Sequence, residues 1–258
     1  VNVPASPTQP ARIVSIHHNC FVLQAGGKTL LFDYPAPQFL PREAADVAAP
    51  LLEASDLTVF TSHSHDDHFD PDILAVTQRA ATRRFVVADD VADRFGDRLP
   101  ADTVVLEPDD VRVLDGMRVE ALESNDMGVA FRIDVAGIAV YFGGDLALWD
   151  WPGQSPAAAR AVAMSWRLAL KKIASRPVDV AFSNMDPRLA SLAGAAQFVA
   201  AVRPRIFVPM HLGGHTAYID RYAATLAHPG TAIFHYAAPG DALQIEERGE
   251  ESARGETL

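Results

Sequence analysis

Four apolar or β-branched residues, Leu57-Thr58-Val59-Phe60, lead into a segment in which four of six residues are metal-ligand candidates: His63-Ser64-His65-Asp66-Asp67-His68. A short, β-rich apolar run of this kind forms a buried strand, so the polar cluster sits at a strand's C-terminal end. Side chains at i and i+2 of an extended chain point the same way. His63 and His65 therefore aim two imidazoles at one cation. Asp67 and His68, where the chain turns towards a helix, offer a carboxylate and a third imidazole to a second one. Mixed nitrogen and oxygen donors suit zinc, with manganese and ferrous iron as alternatives.

The rest of the chain supplies a scaffold of matching kind. Arg12 to Ile16, Phe21 to Leu23 and Leu30 to Phe32, with a turn at Gly26-Gly27, read as an antiparallel meander. Pro35 to Pro50 reads as a Pro-rich connection, and Asp70-Pro71-Asp72 as a helix start leading through Ile73, Leu74 and Val76. Strands are expected at Phe85 to Val87, Val111 to Leu114, Met117 to Leu122, Val129 to Val135 and Ile138 to Phe142, the last running into Gly143-Gly144-Asp145. Between Ser155-Pro156 and Ser175 the period becomes helical, with Val162, Trp166, Leu170 and Ile173 on one face. Beyond it, strands at Val178 to Phe182, Ile206 to Val208 and Thr231 to Phe234 alternate with helices at Ala190 to Val202 and Tyr218 to Leu226. Two β-rich stretches of this length imply two sheets packed face to face with helices outside.

Composition narrows the function. At 258 residues and 49% hydrophobic, the chain can bury one substantial core, so a single domain over 11–245 is expected, with a flexible segment at 1–10 and a frayed, charged tail at 246–258. The 22 Lys and Arg against 33 Asp and Glu leave a net charge of −11, which disfavours a nucleic-acid partner. Cys20 is the one cysteine, which excludes an intrachain disulfide and a thiolate zinc cage and fits a reducing cytoplasm. No apolar run reaches the roughly 18 residues of a membrane span, and Val1 to Pro10 lacks the layout of a signal peptide. A cytoplasmic protein with a small-molecule substrate is expected.

The segment His63-Ser64-His65-Asp66-Asp67-His68 resembles the H-x-H-x-D-H motif of the metallo-β-lactamase superfamily. Ile16 to Leu23 and Leu30-Leu31-Phe32-Asp33 look like its opening hairpins, Tyr141 to Asp145 like its strand ending in a bridging carboxylate, and Val208-Pro209-Met210-His211 like the strand ending in its last metal histidine. The resemblance implies an α/β fold of α+β kind, a four-layer αββα sandwich of two mixed sheets. It further implies metal ligation by His63, His65, Asp67, His68, Asp145 and His211, with Asp33 behind the centre as an outer partner. Where the superfamily usually supplies a further histidine, this chain reads Glu123-Ser124-Asn125-Asp126-Met127-Gly128. Asp126 is the best chemical replacement, and Glu123 the runner-up. This stretch, with Gly144-Asp145-Leu146 and Trp149-Asp150-Trp151, looks like a branch near the UlaG-like lactonases.

Such a centre points to a metal-dependent hydrolase with one or two Zn2+, Mn2+ or Fe2+ being alternatives. A pair of cations about 3.5 to 4 Å apart would lower the pKa of water towards ~7, and the resulting hydroxide would attack an ester, lactone, amide or phosphoester. Asp67 and His65 are the candidates for turnover itself. His18 and His215 are candidates for the rim, and Arg188, in Asp186-Pro187-Arg188, for anchoring an anionic substrate. His17, His228 and His235 read as structural or solvent-facing. Two rival functions share the scaffold: a non-haem iron oxidoreductase and a metal- or ligand-binding protein without turnover.

Overall fold

The computed structural model describes residues 10–246, so the expected flexible start and frayed tail fall outside the described residues but for Pro10 and Glu246. Two seven-stranded mixed sheets form the body. In the first, the meander β1 (Ala11–His17), β2 (Cys20–Ala25) and β3 (Lys28–Phe32) continues through parallel strands β4 (Leu57–Thr61), β5 (Arg83–Ala88) and β6 (Val104–Leu106). In the second, β7 (Val111–Leu114), β8 (Met117–Glu123), β9 (Val129–Val135) and β10 (Ile138–Phe142) are antiparallel, and β11 (Val180–Asn184), β12 (Ile206–Met210) and β13 (Ala232–Ile233) extend them in parallel. A last strand, β14 (Ala242–Ile245), returns to the first sheet beside β1.

Alternation along these strands decides what meets between the layers. Phe32 of β3 stacks on Phe142 of β10 with ring centroids 4.7 Å apart, Phe60 meets Phe131 at 5.3 Å and Phe21 meets Phe182 at 5.2 Å. Tyr141, next to Phe142, faces the other way and packs on Phe198. Phe198 belongs to α5 (Ala195–Val202), which lies with α4 (Pro156–Ile173) on that outer face through Trp166. The αββα sandwich read from the sequence is the fold observed.

The sequence under-read some elements. Inside the Pro-rich connection lies α1 (Arg42–Leu52), with Ala44, Ala48 and Leu52 buried at helical spacing and Pro50 confined to its last turn. After β5 comes α3 (Asp89–Phe95), while α2 (Ile73–Val76), from the expected start, is one turn long. α5 begins at Ala195 rather than Ala190, because Leu192, Ala193 and Gly194 all take positive φ and break the helix. α6 (Ala217–Leu226) closes the set, and among the described residues no helix is long and apolar enough to cross a membrane.

Pairing directions set the functional end. β1, β3, β4 and β5 run one way in the first sheet, and β8, β10, β11 and β12 share a direction in the second. Their C-terminal ends deliver His18, Asp33, His63, Asp126, Asp145, Asp186 and His211 to one rim.

Candidate metal centre

The chain leaves β4 extended, which sets His63 beside His65 with 3.0 Å between His63 Nε2 and His65 Nδ1. A tight turn follows, in which His68 and Phe69 both donate from their amides to the His65 carbonyl at 2.9 Å. That turn swings Asp67 and His68 to the far side of the same space. The strap from β3 holds it, with Ala36 N donating to Asp66 O and Asp70 N to Tyr34 O.

Two ligand clusters result, His63, His65, Asp126 and Asp145, and His18, Asp67, His68 and His211, each with one donor atom per residue lying within 4.8 Å of the others. Asp145 joins them. Its Oδ2 is 3.8 Å from His63 Nε2, while Oδ1 is 3.3 Å from His68 Nε2 and 3.8 Å from His211 Nε2. Tetrahedral zinc with bonds of about 2.0–2.1 Å sets neighbouring ligand atoms about 3.3 Å apart, so these spacings fit a cation. Asp145 Oδ1 is buried without a well-formed hydrogen bond, a cost that a bound cation would remove.

Outer partners decide which imidazole nitrogen is free, because a nitrogen that donates its proton outward leaves the other one's lone pair facing in. His68 Nδ1 lies 2.6 Å from Asp33 Oδ2. Ser62 Oγ donates to the same oxygen at 2.8 Å and is 3.0 Å from His63 Nδ1, whose proton it can then accept. Asp186 Oδ2 stands 3.2 Å from His211 Nδ1. All three histidines thus turn Nε2 to the centre. Asp33, fully buried, lies behind His68 and belongs to neither cluster.

Charge is balanced around the same atoms. Burial alone would raise the Asp145 carboxyl, but His68, His211 and His63 hold it well below the usual carboxylate range. Burial, helped by His68, pushes His63 down to about 3, so this ring is neutral and ready to bind. His68 goes the other way: burial opposes its charge, yet Asp145 and Asp33 raise it well above an ordinary histidine.

Asp126, the expected substitute for the missing histidine, has Oδ2 4.0 Å from His65 Nδ1. Glu123 ends β8 and belongs to neither cluster. The loop between them is pinned to β4, since Val129 N donates to Ser62 O at 2.9 Å. Gly128, with φ +59°, leaves no room for a Cβ, which would lie 2.1 Å from that carbonyl oxygen.

A cavity of about 480 Å³ opens beside Asp67 and His211. His18, His215 and Arg188 line it, and so does His17, the last residue of β1. His235 is exposed and pairs with Asp220 at 2.6 Å, and His228 is half-buried. Arg188 sits over Trp151 with its Cζ 4.9 Å from the ring centroid, and grips Asp186 through Nε and Nη2. Trp149 donates to Asp145 O at 2.7 Å and meets His211 edge-on.

Several contributors escaped the sequence reading. Asn19 places its amide nitrogen 3.0 Å from His68 Nε2. From α3, Asp90 accepts Ser64 N at 2.7 Å and Arg94 donates to Ser64 O at 2.5 Å, clamping the peptide between the paired histidines. The one sequence signal for this clamp is an acid and a base four residues apart just after a strand.

Sheets, rim and clusters together define a metallo-β-lactamase-type sandwich with a metal-ready end. Residues 12–150 match the family described as the beta-lactamase superfamily domain, and the chain belongs to that superfamily. No curated protein matches the sequence. Among solved structures it is similar to Igni18, a metallo hydrolase from Ignicoccus hospitalis, at 16% identity and TM-score 0.65, covering 93% of this chain and 100% of that one. It is also similar to the metallo-beta-lactamase fold protein YhfI from Bacillus subtilis, at 16% identity and TM-score 0.62, covering 91% and 99%. A third likeness is to CmlA, a diiron beta-hydroxylase from Streptomyces venezuelae, at 15% identity and TM-score 0.57, covering 93% of this chain and 55% of that one.

Proposed function

We propose that this chain is a hydrolase of small esters, lactones, amides or phosphoesters, dependent on divalent metal, with zinc the first choice. His63, His65, Asp126 and Asp145 would hold one ion, and Asp67, His68, His211 and the other oxygen of Asp145 a second. The observation that carries this reading is the Asp145 carboxylate, with one oxygen turned to each cluster and Oδ1 buried without a well-formed hydrogen bond. Bound there, the metal would polarise a carbonyl or phosphoryl oxygen and lower the pKa of water towards ~7.

The chain's own groups then have distinct tasks. Asp67 keeps its charge: burial would raise its carboxyl, but the His18 hydrogen bond and His68 bring it far below the usual range, so it stays an anion suited to holding a cation. His65 and Asp67 are assigned to turnover as well as binding. Arg188 lines the cavity with a largely exposed side chain that grips Asp186 through Nε and Nη2, which favours substrates carrying a carboxylate or phosphate away from the scissile bond. His215 stands at the mouth. The cytoplasm is the proposed compartment, on the strength of the lone, buried Cys20, and nucleic acid is disfavoured by the net charge of −11.

A screen of lactones, phosphodiesters, thioesters and β-lactams on zinc-loaded protein tests the reading. We expect turnover that His65→Ala and Asp145→Ala abolish together with metal content. A variant that lost its metal and kept its rate would defeat the mechanism. Asp126 favours a second reading, a non-haem iron oxidoreductase like the diiron fold neighbour, because a carboxylate in place of a histidine makes the ligand set harder. Stoichiometric iron after growth without added zinc, with oxygen consumption, selects it.

A further inference from the structure

His18 is close enough to the second cluster to count as its fourth ligand, with Nε2 3.5 Å from Asp67 Oδ2 and its ring 4.5 Å from that of His211. Its hydrogen bonding contradicts that role. The Gly213 amide donates to His18 Nδ1 at 3.0 Å. A backbone N–H can only donate, so Nδ1 must carry the lone pair and the proton of the neutral ring must sit on Nε2. This is the reverse of His63, His68 and His211, whose Nδ1 atoms face the acceptors Ser62, Asp33 and Asp186 and whose Nε2 atoms face inward.

From this reversed tautomer we infer that His18 is a positioning residue and not a metal ligand: its Nε2–H holds the Asp67 carboxylate from outside, as Asp33 holds His68 and Asp186 holds His211. The inference rests on the two-cluster reading above and assigns the second ion to Asp67, His68, His211 and the shared Asp145. Backbone geometry keeps the arrangement in place. His18 occupies the left-handed region at φ +54° in the two-residue turn between β1 and β2, and Gly213, at φ +55°, follows His211 by two residues. Two chain segments nearly two hundred residues apart are thus locked by the Gly213–His18 bond at the metal-facing rim.

Multiple-bond 1H–15N spectra of histidine-labelled protein, recorded without metal and again after loading with cadmium-113, read the assignment directly. The expected result is His18 protonated on Nε2 in both states and free of cadmium coupling, while His68 and His211 show coupling through Nε2. Coupling at His18, or a proton on its Nδ1, overturns the inference. If no cadmium binds at all, the two-cluster reading fails, and the metal-free tautomer of His18 still decides this one. Zinc affinity gives a second readout. His18→Ala should weaken the second ion about 10- to 100-fold, and His18→Gln, which restores an N–H donor, should recover most of that loss. Equal losses in both variants indicate a ligand and contradict the assignment.

Discussion

At the residue scale, His68 carries the pH behaviour of the centre. Wedged between Asp33 and Asp145, it keeps its proton well above the ordinary histidine value in the metal-free protein. A group raised in the folded state stabilises fully below its unfolded pKa, about 6.5, and loses that contribution as pH rises through the folded value. A metal ion needs the Nε2 lone pair, so its binding must expel the proton. Zinc should therefore raise Tm more at about pH 8 than at about pH 6, and titrations in buffers of different ionisation heat should show proton release. A gain in Tm that is larger at the lower pH contradicts this. The ligand types at His63, His65, Asp67 and His68 were legible because they are adjacent in the chain and their spacing matches strand and turn geometry. Asp90, Arg94 and Asn19 were not, since their role lies in hydrogen bonds to backbone and imidazole across 26, 30 and 49 residues of sequence.

At the element scale, the centre depends on how tightly the loop before β9 lies against the end of β4. Gly128→Ala would force a Cβ towards Ser62 O and His63 Cβ at a positive φ. It should cost about 1–3 kcal/mol in chemical denaturation and weaken the first ion as well. The clamp from α3 predicts a cleaner separation. Asp90→Ala removes the acceptor for Ser64 N, so it should lower first-site metal affinity about 10- to 100-fold while leaving the far-UV spectrum unchanged. Unaltered affinity would show that the turn at His63 to His65 holds itself. Strands and the long helix α4 were readable, the latter down to its cap, where Ser155 Oγ accepts Ala158 N at 3.2 Å. α1 is hidden because proline reads as a loop signal, although Pro41 is the N-cap, where no intrahelical bond is lost, and Pro50 falls in the last turn, where only one is. β6 and β14 are short edge strands with a single buried residue each, too little pattern to read without their partners.

At the scale of the whole molecule, the two sheets hold the rim in register through the aromatic layer of Phe21, Phe32, Phe60, Phe131, Phe142 and Phe182. Phe32→Ala would open a cavity between the sheets and should cost about 3–5 kcal/mol, with loss of metal following loss of fold rather than preceding it. Sequence order alone conveyed the sandwich, because each ligand follows a strand and parallel neighbours bring their C-terminal ends together. The resemblance named Asp145 as a bridging carboxylate, but its distances to His63, His68 and His211 could be seen only with both sheets in place. Calorimetric titration of metal-free protein with zinc tests that sharing most directly. Two ions per chain are predicted for the wild type and fewer than one for Asp145→Ala; no uptake by the wild type, or two ions still bound by the variant, would contradict the account.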